Sequence, residues 1–279
     1  MSVELAEFKT LALRRAGPVL HVTLNRPEVR NALSLAMVRE LRAVLAQAEM
    51  RAETRVLVLR GAGGHFSAGA DLVDMAAARQ QLQHNPLALQ ETNASFGELC
   101  VAYAQTGLAV VAVVEGSCMG GGFGLACVAD VTLASDTVNF RLPETSLGVV
   151  PAQIGPLLVE RLGYAEAKRL AVTGGRLGAA EALTLRLVHG VHAPAELDAA
   201  LAQLLAEILQ CAPGAVAATK ALIAKARWQS PTSLVQEAAA VFSRAALSAE
   251  GIEGSTAFMQ KRKPTWAVLP DSPAAVDAS

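Results

Sequence analysis

The chain has 279 residues, 52% apolar and 18% charged, with a formal net charge of −1. That length supports one large domain, or a domain with an appendage, around a substantial core. The balanced charge gives no general pull towards nucleic acid or an anionic membrane, which leaves small-molecule chemistry as the default class.

Residues 19–24 read as a strand, and the turn formers after it end at Ser34, a good helix N-cap. Over 35–50, Met37, Leu41, Val44, Leu45 and Ala48 recur at helical spacing, with Arg39, Glu40 and Arg42 on the other side. Residues 56–59 form a second buried strand that enters GAGGHFSAGADL, 61–72. A polar helical segment over 74–103 leads to AVVAVV, 109–114, a run without alternation that suits a strand covered on both faces. Glu115 and Gly116 end that strand. Gly120, Gly121, Gly122 and Gly124 then leave the backbone almost bare before an apolar, helical continuation over 125–128. Two more strands are expected at 130–134 and 138–142.

Beyond Pro151 the chain turns helical. Helices are expected at 157–162, 165–173 and 179–185, then at 195–210, 213–228, 231–248 and 250–261, separated by Pro213, Pro231 and Gly251. Strands alternating with helices predict an α/β core with crossover connections over 1–194, with an appended helical region over 195–267. Residues 268–279 are small and polar with two prolines, a composition expected to be disordered. No apolar run spans a bilayer, and the acidic N-terminus lacks the basic start of a secretory signal, so the expected location is the cytoplasm. Cys100, Cys118, Cys127 and Cys211 form no C-x-x-C pair, a pattern of free thiols rather than disulfides or a metal site.

The glycine cluster has two readings. Glycines where a strand turns into a helix let unpaired N–H groups face an anion, with the helix dipole adding partial positive charge. Equally, adjacent glycines allow a helix to pack closely on a sheet. A dinucleotide site in the earlier loop fails, because Gly61 and Gly63 are followed by Phe66 where G-x-G-x-x-G needs glycine, and no Walker lysine follows. No metal-ligand spacing and no serine nucleophile elbow is present.

HFSAGADL (65–72), EGSCMGGGFGLACVAD (115–130) and RLPETSLGVVP (141–151) resemble, in order and spacing, the three signature regions of the crotonase (enoyl-CoA hydratase/isomerase) superfamily. NRPEVRNALS and FMQKRKPTW extend the resemblance over nearly the whole chain. Within it, GGGFGLACVAD, LPETSLGVVPAQIGP and QKRKPTWA look most like isohexenylglutaconyl-CoA hydratases of acyclic terpene catabolism. The resemblance implies a ββα spiral core, a C-terminal helical region that completes trimer contacts, and a homotrimer or homohexamer. Its substrate is an acyl-CoA, with coenzyme A carried by the substrate and no resident cofactor.

By motif position, the resemblance places oxyanion donors at the backbone N–H groups of Ala70 and Gly121, and the acid–base carboxylate at Glu144. A purely structural role for Glu144 is that of a capping acid after Pro143. The family's first glutamate falls on Gly124, which cannot move a proton. A carboxylate on the substrate is expected to fill the space that Gly124 vacates and to help orient water. CoA contacts are expected at Arg30, Ala32, Ala68, Asp71, Leu72, Phe258 and Lys261, with Arg26 and Arg262 as weaker candidates; Arg30 and Lys261 suit the CoA phosphates. Asp130 is expected to be structural, and the histidines, His65 included, structural or exposed rather than catalytic. Hydration of a 2-enoyl-CoA leads, a Δ3-Δ2 enoyl-CoA isomerase using one glutamate is the alternative, and a non-catalytic CoA- or RNA-binding scaffold is a third class.

Overall fold

A computed structural model of the chain describes residues 8–267. The strands are β1 (Leu11–Ala16), β2 (Val19–Leu24), β3 (Val56–Gly61), β4 (Ala109–Val114), β5 (Ser117–Met119), β6 (Val131–Ser135), β7 (Asn139–Arg141), β8 (Arg176–Gly178) and β9 (Gly190–His192). The helices are α1 (Leu35–Glu49), α2 (Leu72–Gln80), α3 (Ala88–Gln105), α4 (Gly121–Cys127), α5 (Ile154–Thr173), α6 (Ala179–Thr184), α7 (Leu197–Gln210), α8 (Pro213–Ala226), α9 (Pro231–Ala246) and α10 (Ala249–Met259).

The larger sheet runs β1-β2-β3-β4-β6-β9, antiparallel only between β1 and β2; the smaller runs β5-β7-β8. Each turn of the chain visits both. β4 lies in the large sheet, β5 in the small one, and α4 follows; β6, β7 and α5 repeat the step. The earlier turns do the same with single bridges in place of full strands, Ser67 to Cys118 and Leu33 to Ala70. These stacked turns are the ββα spiral, and the bridges carry the ends of its inner turns to one place.

β4 explains its own sequence. Val110, Ala112 and Val114 enter the large core with α1, α3 and α4, while Ala109, Val111 and Val113 face the other way onto Leu197, Leu201, Leu205 and Leu209 of α7. Both faces are dry, so no alternation is needed. The same packing alters the division expected at 195, because α7 is the second layer of the large sheet and only α8–α10 lie beyond it, packed mainly on one another. Arg55 fastens that junction, donating to the carbonyls of Leu209, Cys211 and Trp266.

Two local expectations change. The polar segment 74–103 is two helices, split at Asn85-Pro86, where the Asn85 side chain accepts from the Leu87 N–H at 3.0 Å. β1 went unforeseen because its two arginines mask a short alternation, as did the three-residue strands β5, β8 and β9. The break at Gly163 is present, at φ 77° and ψ 165° within α5. The expected disorder over 268–279 lies outside the described residues.

Candidate active site

The first signature loop is held by a closed set of polar contacts. Asn31, fully buried, accepts from the Arg26 N–H at 2.9 Å and donates to the Ala62 and His65 carbonyls at 2.9 and 2.7 Å. Ser67 Oγ donates to the Asn31 carbonyl and accepts from the Gly69 N–H. His65 is structural, its Nδ1 accepting from the Ser117 N–H at 3.1 Å. Each of these groups would be costly to bury unpaired, so together they fix the backbone that leads to Ala70.

That backbone meets the glycine cluster at near-contact distance. A Cβ on Gly69, where φ is +91°, would lie 2.8 Å from the Met119 carbonyl oxygen and 3.4 Å from the Gly121 nitrogen. Ala70 N–H and Gly121 N–H donate to no other group among the described residues. Gly121 opens α4, which is only seven residues long, so the field there comes from the bare donors more than from the aligned dipole expected from sequence.

Ala70, Gly121 and Glu144 line one cavity of about 370 Å³, closed by Leu33, Phe96, Val149 and Ile154. Glu144 is the acid in the first turn of a short 3₁₀ helix whose N-cap, Pro143, makes no side-chain cap. Its Oε2 is buried with no hydrogen-bond partner among the described residues. Burial raises its carboxyl above the ordinary value, opposed only in part by a hydrogen bond from its own backbone.

Gly120 sets where that carboxyl lies. Its φ of +50° and ψ of −118° suit glycine alone, and a Cβ there would stand 2.6 Å from Glu144 Oε1. Gly120→Ala is therefore expected to lose about 1–3 kcal/mol of stability from backbone strain and to displace the carboxyl, lowering kcat beyond any loss of folded protein. Denaturant unfolding and turnover on one preparation check it. A folded variant with native kcat would free Glu144 from this backbone constraint.

Gly124 departs from expectation. It is absent from the cavity wall, and a Cβ there would meet Ile154 Cγ1 at 3.2 Å and Phe96 Cζ at 3.5 Å. Both neighbours are apolar, so the position offers a substrate carboxylate no hydrogen bond and no charge partner.

The expected CoA contacts divide. Arg30, Ala32, Ala68, Asp71 and Leu72 come together on the two loops beside the cavity, with the Ala68 N–H donating to the Arg30 carbonyl at 2.8 Å. Asp71 lines the cavity but is engaged: it caps α2 through the Val73 N–H and pairs with Arg26 at 2.7 Å. Burial would raise its carboxyl, yet the bonds from Arg26 and Val73 hold it below the ordinary value. Phe258, 85% exposed, and Lys261 lie at the end of α10 and do not line the cavity of their own chain. Arg262 is occupied by Glu253 at 2.7 and 2.8 Å. Asp130 is structural, accepting from the Val110 N–H and from Lys220.

Sequence reasoning missed the wall built by α2 and α3. Asp74, Met75 and Arg79 of the first, and Thr92, Asn93 and Phe96 of the second, line the cavity beside the expected Asp71. Asn93 accepts from Gln153 Nε2 at 2.9 Å, and Gln153 fits only because residue 97 is glycine. The signal was a spacing of three and four residues along 71–79, hidden in a segment that looked solvated.

The family model for enoyl-CoA hydratase/isomerase matches residues 14–268. The chain belongs to the enoyl-CoA hydratase/isomerase family. It is 32% identical over 274 residues to an Arabidopsis thaliana peroxisomal Delta(3,5)-Delta(2,4)-dienoyl-CoA isomerase, covering 94% of this chain and 98% of that one. It is 33% identical over 273 residues to the carnitinyl-CoA dehydratase of Escherichia coli K12, covering 92% and 98%. Among solved structures, Pseudomonas aeruginosa AtuE superposes with a TM-score of 0.89 at 49% identity, covering 93% of this chain and all of that one. The fold is thus the α/β crotonase fold, and the family acts on CoA thioesters.

Proposed function

We propose that this enzyme hydrates a branched 2-enoyl-CoA of the isohexenylglutaconyl-CoA kind, with Glu144 as its acid–base group. One observation carries the reading: a buried carboxyl with an unpartnered oxygen shares a cavity with two free backbone donors. The thioester oxygen sits between the Ala70 and Gly121 N–H groups, which stabilise the negative charge that forms as water adds at C3. Glu144 takes the proton from that water and returns it to C2, so one base serves both steps and no electrons are exchanged. The chemistry needs no resident cofactor. Support for the finer substrate comes from the three runs quoted above and from a cavity with room for a branched chain.

One observation also favours Δ3-Δ2 isomerisation. Ile154 and Phe96 fill the position of a second carboxylate, and moving one proton needs one base. Incubating a 2-enoyl-CoA and a 3-enoyl-CoA separately decides between them. Loss of enoyl absorbance from the first supports hydration, and its appearance from the second supports isomerisation. Silence with both, across a panel that includes branched, carboxylated thioesters, would remove the reading.

The assembly proposed is a homotrimer or homohexamer. Phe242 of α9, Leu247 just after it, and Phe258 and Met259 of α10 are each between 74% and 85% exposed, more large apolar surface than a monomer usually shows. In such an assembly Phe258 and Lys261 reach CoA on a neighbouring copy. Light scattering at micromolar concentration is expected to give three or six times the chain mass, and a monomer would contradict it.

A further inference from the structure

With only apolar neighbours at Gly124, an acidic substrate needs a charge partner elsewhere, and the cavity contains one. We infer that Arg79 is the specificity-determining residue of the acyl pocket, the cation that receives a carboxylate on the substrate's acyl chain. This rests on the acyl-CoA reading of the cavity.

Of the charged residues other than Glu144 that line the cavity, Asp71 and Asp74 are already engaged, and so is Arg26 beside it. Arg26 pairs with Asp71 at 2.7 Å, and Asp74 accepts from the Leu35 N–H at 2.5 Å, which ties α2 to the start of α1. Arg79 is the sole cation lining the cavity, and it forms no ion pair among the described residues. It shares one helix face with Asp71, Asp74 and Met75, so its guanidinium is attached on the side that faces the acyl chain. Asp71 directly follows the Ala70 donor, and eight residues of helix rise about 12 Å, which sets Arg79 well along the acyl chain from the thioester. An arginine side chain and a short dicarboxylic acyl group span that distance between them. A planar fork of donors matches a carboxylate, and Arg79, exposed at the cavity's edge, leaves that fork free to take one. The same charge repels an acyl group bearing a quaternary ammonium.

A cation in the last turn of α2 also complements the helix dipole, and that role by itself would affect stability and not substrate charge. The experiment separates the two. Three thioesters of one β-branched 2-enoyl-CoA, ending in a carboxylate, a methyl or a trimethylammonium group, are assayed with the native enzyme and with Arg79→Met, Arg79→Lys and Arg79→Glu. The native enzyme is expected to favour carboxylate over methyl by about ten- to a hundredfold in kcat/KM, with ammonium last. The difference should lie in KM more than kcat, since an ion pair remote from the reacting carbons binds ground and transition states alike. Arg79→Met should level the ranking, Arg79→Lys keep it, and Arg79→Glu invert it.

A native ranking that survives in Arg79→Met, or a native enzyme indifferent to the three groups, overturns the inference while turnover leaves the hydratase reading standing. If no thioester turns over, the hydratase reading fails. Calorimetric binding of the saturated thioesters, which cannot react, then still decides for or against Arg79 by the same ranking.

Discussion

Glu144→Gln is expected to cut turnover by about 10² to 10⁴ while the protein stays folded and still binds acyl-CoA, because a positioned acid–base group contributes about that much. The amide keeps the size and the Oε1 contact side of the carboxyl but neither takes nor returns the proton. The pH profile carries a second mark. As a base, Glu144 works when ionised, so native activity falls as pH drops through its raised value. That acid limb should stand above the ordinary carboxyl range and vanish in the variant. Stability moves the other way. A carboxyl raised in the folded state contributes stability that is fully present below its unfolded value and is lost as pH rises through the folded one. Near neutrality the native enzyme therefore bears the cost of a buried charge that glutamine lacks, and the variant's Tm should be equal or higher. Unchanged turnover on the best substrate would remove Glu144 from the chemistry.

Gly121→Pro should abolish activity more completely than Gly121→Ala. Proline suits the first position of a helix, where its missing N–H has no intrahelical partner, so the substitution removes the oxyanion donor without breaking a helical hydrogen bond. Loss of one such donor costs about 2.7 to 4 kcal/mol, a factor of about 10² to 10³ in kcat. Alanine keeps the donor and adds only a methyl group 3.1 Å from Leu33 Cδ1, a flexible neighbour. Circular dichroism and thermal unfolding establish the folded fraction first. A folded proline variant with native kcat would place the oxyanion site elsewhere.

The glycines marked where two loops come close, whereas Ala70, Gly121 and Glu144 were singled out by the resemblance of their motifs. The run 109–114 announced a strand dry on both faces, and Gly120 and Gly121 announced where a chain approaches too closely for side chains. The acyl wall was not legible. Arg79 in a polar segment looks like any solvated charge, and only the packing of α2 against α3 turns it towards the cavity. Gly124 misled for a related reason: a missing side chain in one helix reads as space, yet Phe96 of α3 and Ile154 of α5 occupy it, and such long-range filling has no local signature. Phe258 and Lys261 show the same limit, since their motif marks them while the chain's own fold carries them elsewhere.

α2 buries only Ala78, whereas Gly121 opens a helix buried along its whole length and the loop bearing Ala70 follows β3 of the dry large sheet. Substitutions at exposed positions of α2 away from its cap change stability within about ±0.5 kcal/mol. Selection can therefore explore that helix without endangering the reaction. Substrate preference is free to drift between descendants of one ancestor while the proton chemistry is inherited intact, and a laboratory recombining α2 segments between relatives should exchange their acyl preferences with little loss of rate.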